Sequence, residues 1–259
     1  MIRVFYLALW ICCLSIFGVL LSLAVQIDLL EIVATLIASE TLFAVKLSLV
    51  ASVSAVMIAL ILGIPTAYIL ARKDFPGKFI IDTFLDIPLV MTPLVIGMGL
   101  LFLLGPDLLG KYLSRFDIDF LFSSSGAIIA QTFIATPLII RSCRSTFEEI
   151  DEKYDWAGYT IGLSNQQVFM RIILPMARNG ILSGTILAWT RTLGEFGATL
   201  MVAGATRFRT ETLPIAIYLN LTSGEIGIAI TCAWVLIVSG FILMLTLKWL
   251  GYRSKATEF

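Results

Sequence analysis

Histidine is absent from the 259 residues, which removes the commonest metal ligand, the usual haem ligand and the commonest general base. Most metalloenzyme readings fall with it. Charge is scarce as well: 14 % of the residues are Asp, Glu, Lys or Arg, against about 25 % in an ordinary soluble domain. The 18 basic and 18 acidic residues balance, so neither a basic surface for nucleic acid nor an acidic solvating tail is present. Cysteine occurs only at Cys12, Cys13, Cys143 and Cys232, without a C-x-x-C pair. That pattern argues against a disulfide framework or a zinc site and is read as small buried hydrophobes.

What the chain has instead is apolar length. Residues of hydrophobic type make up 59 % and the mean hydropathy is +0.97. Runs of ~20 apolar residues suffice to cross a ~30 Å hydrocarbon core, and six are found, at about 4–25, 42–71, 79–104, 126–147, 173–203 and 226–250. The first is too long for the 7 to 15 residue core of a signal peptide and is expected to be retained. The fold class is therefore an all-α polytopic membrane protein with six transmembrane helices. Placing the N-terminus in the cytoplasm puts twelve Lys and Arg inside, four outside (Lys111, Arg115, Arg207, Arg209) and two within spans (Lys46, Arg191). Both termini are thus expected to be cytoplasmic. Residues 1–40 hold the first helix and an external loop, 41–250 the main transmembrane domain, and 251–259 a short cytoplasmic tail.

The inner connections differ in kind. Arg72 to Lys78 contains Pro76-Gly77 and reads as a hairpin turn. The longer segment 148–172 carries Glu148, Glu149, Asp151, Glu152 and Asp155. It reads as a short helix over 155–163, broken at Gly162, followed by a capping box at Ser164 and Gln167 from which a new helix starts near Asn165. Gly158 and Gly162 are four residues apart, leaving a face that either admits a partner or packs on its own bundle.

Charges within spans mark a path or a packing device. Arg191 and Glu195 are four residues apart, which allows an intrahelical ion pair and also a transient attraction for a passing anion. Asp82 and Asp86 share a face near a helix N-terminus and read as structural or as contacts to the coupling loop. Pro88 and Pro93 interrupt the third span, so that Thr92 and Pro93 either form a gate or mark a bend needed for packing. Gly180 and Gly184 permit close approach, either within the bundle or along a homodimer axis. The stretch Gly105 to Tyr112 matches G-x-x-x-x-G-K but lacks the following Ser or Thr and any strand-to-helix turn, so no nucleotide site is read there.

One spacing is specific. Gly162, nine residues, Ile172, one residue, then Leu174-Pro175 resembles the E-A-A-x-x-x-G-x(9)-I-x-L-P motif of permease subunits of type I ABC importers. Trp156, Ala157 and Gly158 stand at the E-A-A positions, with Asp155 one residue earlier as a substitute acid. Within that family, Ala71 to Lys78 and Leu193 to Thr199 are similar to the oxyanion permeases for molybdate, tungstate and, more distantly, sulfate, and Ala205 to Pro214 is similar to molybdate and tungstate members in particular. The resemblance implies ATPase coupling through Asp155, Trp156, Ala157, Gly158, Gly162, Ile172, Leu174 and Pro175. It also implies a second copy of the chain, two cytosolic ATP-binding subunits that hold ATP and Mg, an extracytoplasmic oxyanion-binding protein, a prokaryotic cell membrane with its lipid, and alternating access. No cofactor is expected in this chain and no enzymatic activity of its own. Sulfate or another anion remains an alternative substrate. A stand-alone ion-coupled carrier using Asp82, Asp86 and Glu195 leaves the Gly162 to Pro175 spacing unexplained.

Overall fold

The computed structural model describes residues 2–26, 29–113 and 119–256, and no strand occurs among them. Helices α1 (Ile2–Val25), α2 (Leu29–Leu36), α3 (Ser39–Arg72), α4 (Lys78–Val90) and α5 (Pro93–Leu103) form the first part of the chain. They are followed by α6 (Gly110–Leu113), α7 (Ser124–Glu149), α8 (Lys153–Thr160) and α9 (Asn165–Val168), then a π-helical turn (Phe169–Ile173) that leads into α10 (Leu174–Leu193). Helices α11 (Gly197–Ala203), α12 (Leu213–Ser223) and α13 (Ile226–Ala256) complete it. Arg115, assigned above to an outer loop, and residues 257–259 of the expected tail lie outside the described residues.

Among the described residues, five helices are long and apolar enough to cross a membrane, and α4 with α5 make a sixth if the bent pair is one span. The third span, expected at 79–104, is broken rather than kinked: α4 and α5 meet at 111°. Pro93 is the cause. A residue before proline is pushed out of the helical region, and Thr92 (ψ 144°) and Met91 (ψ 143°) are both extended. The fifth span, expected at 173–203, starts earlier at Asn165 and ends at Leu193, with α11 a separate helix beyond Gly194. The final helix passes the expected end at 250 and runs to Ala256. The short helix expected at 155–163 occupies 153–160; Gly162, with φ +86°, ends it.

The bundle is built on α3 and α7. The 34 residues of α3 span about 51 Å at 1.5 Å per residue, and its buried face is a run of small side chains that includes Ala44, Ser48, Ala51, Ala55, Ala59, Gly63 and Ala67. These let α7 come close: a Cβ added to Gly63 would lie 2.8 Å from Ile139 Cγ2. Helix α10 approaches α7 the same way. A Cβ on Gly180 would meet Thr146 Oγ1 at 2.2 Å, and one on Gly184 would meet Ser142 Oγ at 2.2 Å, so both glycines serve this bundle's own packing. Gly184→Leu is expected to cost about 1 to 3 kcal/mol by overpacking, read as a lower unfolding midpoint in detergent.

Cys143 and Cys232 are buried free thiols, as the sequence suggests, whereas Cys12 and Cys13 are exposed. The difference follows from α1, whose Phe5–Val25 stretch contains no buried residue in the single chain. A helix apolar on all faces and uncovered by protein is suited to lipid or to another helix.

Candidate functional site

The segment after α7 is built as a protruding helix on a stiff base. Gly162 N–H donates to the Tyr159 carbonyl at 3.0 Å and Leu163 N–H to the Gly158 carbonyl at 3.1 Å, which closes α8 with a left-handed glycine. Ser164 then caps α9: its hydroxyl accepts from Gln167 N–H at 3.4 Å, and Gln167 Oε1 accepts from Ser164 N–H at 2.9 Å. The capping box read from the sequence is present. The π turn just before Pro175 also has a local cause, since proline carries no N–H to continue the regular ladder.

Gly158 and Gly162 do not share a groove. A Cβ on Gly158 would lie 2.7 Å from Val168 Cγ2 and 3.0 Å from Ile172 Cδ1, while Gly162 faces open space. Gly158 therefore seats α8 on its own chain, and Ile172 is part of that seat. Leu174 is half-buried, and Pro175 is exposed at the start of α10. The outward face of α8 and its end carries Ala157 with Trp156, 67 % exposed, and Ile161, 75 % exposed. Apolar side chains presented this way beside charged neighbours form a patch suited to a protein partner. Asp155 points the other way. It is buried, with Arg72 Nη2 3.3 Å from its Oδ2 and the Tyr68 hydroxyl donating to its Oδ1 at 3.4 Å.

The second group of predicted residues is brought together by two helix breaks. Gly197, which opens α11, lies against the α4/α5 break: its added Cβ would be 3.2 Å from Pro93 Cβ. Gly97 of α5 packs as closely on α11, at 2.8 Å from Ala198 Cα. Thr92 is exposed at the break, and Pro93 is half-buried. Arg191 Nη1 donates to Glu195 Oε2 at 2.7 Å, and Glu195 Oε1 accepts from Ala198 N–H at 3.1 Å. The pair is lopsided: the Glu195 side chain is 1 % exposed and that of Arg191 45 %. Glu195 thus pins the α10/α11 corner, and Arg191 keeps an open side. Asp82 joins α4 to α7 through the Arg144 guanidinium, which also holds Glu148 at 2.7 Å. Asp86 and Lys46 are exposed.

A third constellation was hidden in the sequence by the distance between its members. The turn 204–212 is tied to α3 and α12 by Arg207, which reaches Glu40 Oε2 at 3.4 Å, Asn220 Oδ1 at 3.2 Å and Ser223 Oγ at 2.9 Å. Asn220 donates to Glu40 Oε1 at 2.7 Å. Beneath it Glu211 is fully buried and accepts from Phe208 N–H at 2.9 Å. Burial, reinforced by the neighbouring Glu40 carboxyl, pushes the Glu211 carboxyl up to about 7 against the opposing pull of the Phe208 N–H and Arg207. An acid seven residues after a glycine carries no signal of such pairing. Among the described residues no group of three or more His, Cys, Asp or Glu is placed to hold a metal ion.

Comparison with known proteins agrees with this architecture. Residues 59–255 match the family described as binding-protein-dependent transport system inner membrane component. The molybdenum transport system permease protein ModB of Haemophilus influenzae is 39 % identical over 216 residues, covering 82 % of this chain and 94 % of that protein. The sulfate transport system permease protein CysT of Salmonella typhimurium is 29 % identical over 215 residues, covering 83 % and 78 %. Among solved structures, a bacterial alginate ABC transporter in complex with an alginate-bound periplasmic protein superposes with a TM-score of 0.74 at 15 % identity, over 92 % of this chain and 88 % of that one. At that identity the likeness is one of fold. With the family match running from the middle of α3 to the end of α13, the chain belongs to the binding-protein-dependent transport system inner membrane components.

Proposed function

We propose that this chain is the permease subunit of an ATP-driven importer that moves a tetrahedral oxyanion, molybdate or tungstate, by alternating access. The observation that carries the reading is the 39 % identity to a molybdenum permease along most of both chains. The exposed face of α8 supports the rest of the assembly. Trp156, Ala157 and Ile161 are the docking surface for a cytosolic ATPase, which holds ATP and Mg, and Gly158, Gly162, Ile172, Leu174 and Pro175 shape and seat that helix. Two ATPase copies serve two copies of this chain, both termini and α8 face the cytoplasm, and an extracytoplasmic binding protein delivers the anion. The stretch Gly105 to Tyr112 forms turns and the short α6, with no strand before it among the described residues, so the nucleotide is assigned to the ATPase.

The facing breaks at Thr92-Pro93 and at Gly194 to Gly197 are the gate. Interrupted helices leave backbone groups free to line a cavity, and in transporters such breaks recur at the path. Closure of the ATPase pair draws the two α8 helices together and rocks the bundles, opening one side of the path as it closes the other.

The test is reconstitution. Proteoliposomes holding this chain and its ATPase are expected to take up labelled molybdate only with ATP and the binding protein, while the chain alone takes up none. Uptake by the chain alone under an ion gradient would overturn the reading in favour of a carrier. The 29 % identity to a sulfate permease makes sulfate the second substrate to measure, and saturable sulfate uptake that molybdate fails to displace would reassign the substrate.

A further inference from the structure

We propose that Asp155 and Arg72 form an internal pin that delivers the movement of α8 to α3, and that Asp155 is not an acidic contact offered to the ATPase. The inference rests on the reading of α8 as the docking helix.

Arg72 is the last residue of α3. Its side chain is 8 % exposed and that of Asp155 10 %, so neither charge is displayed to a partner. Through the single nitrogen Nη2, Arg72 donates to the Ile150 carbonyl at 2.7 Å and lies 3.3 Å from Asp155 Oδ2. Ile150 caps the end of α7, and Asp155 is in the first turn of α8. One guanidinium therefore joins three elements at the corner where the chain turns into the docking helix. Tyr68, one turn before Arg72, adds a second tie through its hydroxyl to Asp155 Oδ1.

The ring of Tyr68 makes the tie stiff. It packs edge-on to Phe147 of α7, with centroids 5.6 Å apart, and at 4.5 Å from Phe169 of the π turn. Behind α8, Gly158 rests on Val168 and Ile172. A push on Trp156 or Ile161 thus has no soft element to absorb it before it reaches α3. Taking a charge out of water without a partner is costly, so a buried pair of this kind holds its two elements together strongly once formed. Arg72 Nε and Asp155 Oδ2 lack an aligned hydrogen bond, so the two side chains are held together by charge more than by directional bonding. A long helix of 34 residues pinned at its end then carries displacement the depth of the membrane, because packed helices shift as rigid bodies.

The experiment uses the complete importer in proteoliposomes. Arg72→Met and Asp155→Asn are each expected to lower anion transported per ATP hydrolysed at least tenfold while the ATPase still copurifies. The double variant is expected to be no worse than either single one, since both remove the same connection. Arg72→Lys is expected to restore most of the coupling, because one nitrogen makes both contacts. Additive losses, or normal coupling in Arg72→Met, would overturn the pin. A second measurement does not depend on how well those variants fold: with the native cysteines replaced by serine, Trp156→Cys is expected to cross-link to the ATPase at least tenfold more than Asp155→Cys. Equal cross-linking would make Asp155 a docking acid and sink the proposal. ATP-independent uptake by the unsubstituted chain would instead remove the function proposed above, an outcome visible before any variant is made.

Discussion

Glu211→Gln is expected to raise the stability of the folded chain at pH 8 by on the order of 2 to 3 kcal/mol while changing it little at pH 4.5. Glu211 is fully buried beneath the 204–212 turn, and its carboxyl titrates near 7 rather than near 4.5. The folded chain therefore binds the Glu211 proton more tightly than the unfolded chain does. The stability this contributes is complete below about pH 4.5, declines as the pH rises toward 7, and is gone above it. The groups facing Glu211 fix the direction. Burial opposes its ionisation most, Glu40 from α3 opposes it too, and together they outweigh the Phe208 N–H and Arg207 from the same turn, which favour it. Glutamine copies the neutral acid at every pH: its amide oxygen still accepts from Phe208 N–H, and its amide hydrogens face Glu40. Unfolding midpoints in detergent, taken from pH 4.5 to 8.5, check this. The natural chain should lose stability across that window and the variant should not. Parallel curves would mean that Glu211 is ionised throughout and that Arg207 compensates both carboxylates.

How much of this was legible in the sequence depended on whether the cause was local. The capping box at Ser164 and Gln167, the turn at Gly162 and the Arg191–Glu195 pair rest on residues three or four apart, and each stands where spacing put it. The apolar runs likewise map onto helices, because burial in lipid depends on local composition. The break at Thr92 was half legible. Pro93 signalled an interruption, but whether a proline bends a helix or ends it depends on what packs alongside, and here α11 fills the angle through Gly97 and Gly197. What spacing does not encode is partners across the chain. Arg72 counted only as one inner positive charge, yet it meets Asp155 more than eighty positions later. The same holds for Glu40 and Asn220, which are joined by a hydrogen bond across 180 positions. Gly158 shows the opposite failure: its small size did mark a close approach, but by Val168 and Ile172 of its own chain rather than by a partner.

Arg191→Gln is expected to cut ATP-dependent anion uptake tenfold or more while leaving the assembled complex intact. The two halves of this expectation come from the two halves of the ion pair. The Arg191 side chain is 45 % exposed, so its own charge is partly solvated, and the glutamine amide of the variant can still donate to the buried Glu195 carboxylate and hold the corner together. On the path proposed above, that same open side is the positive charge an anion meets beside the α10/α11 break. A positive site in a region of low dielectric lowers the barrier for an anion by concentrating it there. Glu195 behaves differently. It is 1 % exposed and accepts from Ala198 N–H at 3.1 Å, so Glu195→Ala leaves a buried donor unmet and is expected to cost ~1 to 3 kcal/mol of stability. Glu195→Gln separates position from charge, because its amide oxygen can still accept from Ala198 while Arg191 loses its counter-charge. Uptake by that variant is expected to saturate at lower anion concentration and at a lower maximal rate, as a site that holds its cargo too well releases it slowly. Initial rates across an anion titration, with the amount of assembled complex measured in the same vesicles, distinguish the three variants. Uptake that Arg191→Gln leaves unchanged in a folded complex would take Arg191 off the path and reduce the pair to a brace for the α10/α11 corner.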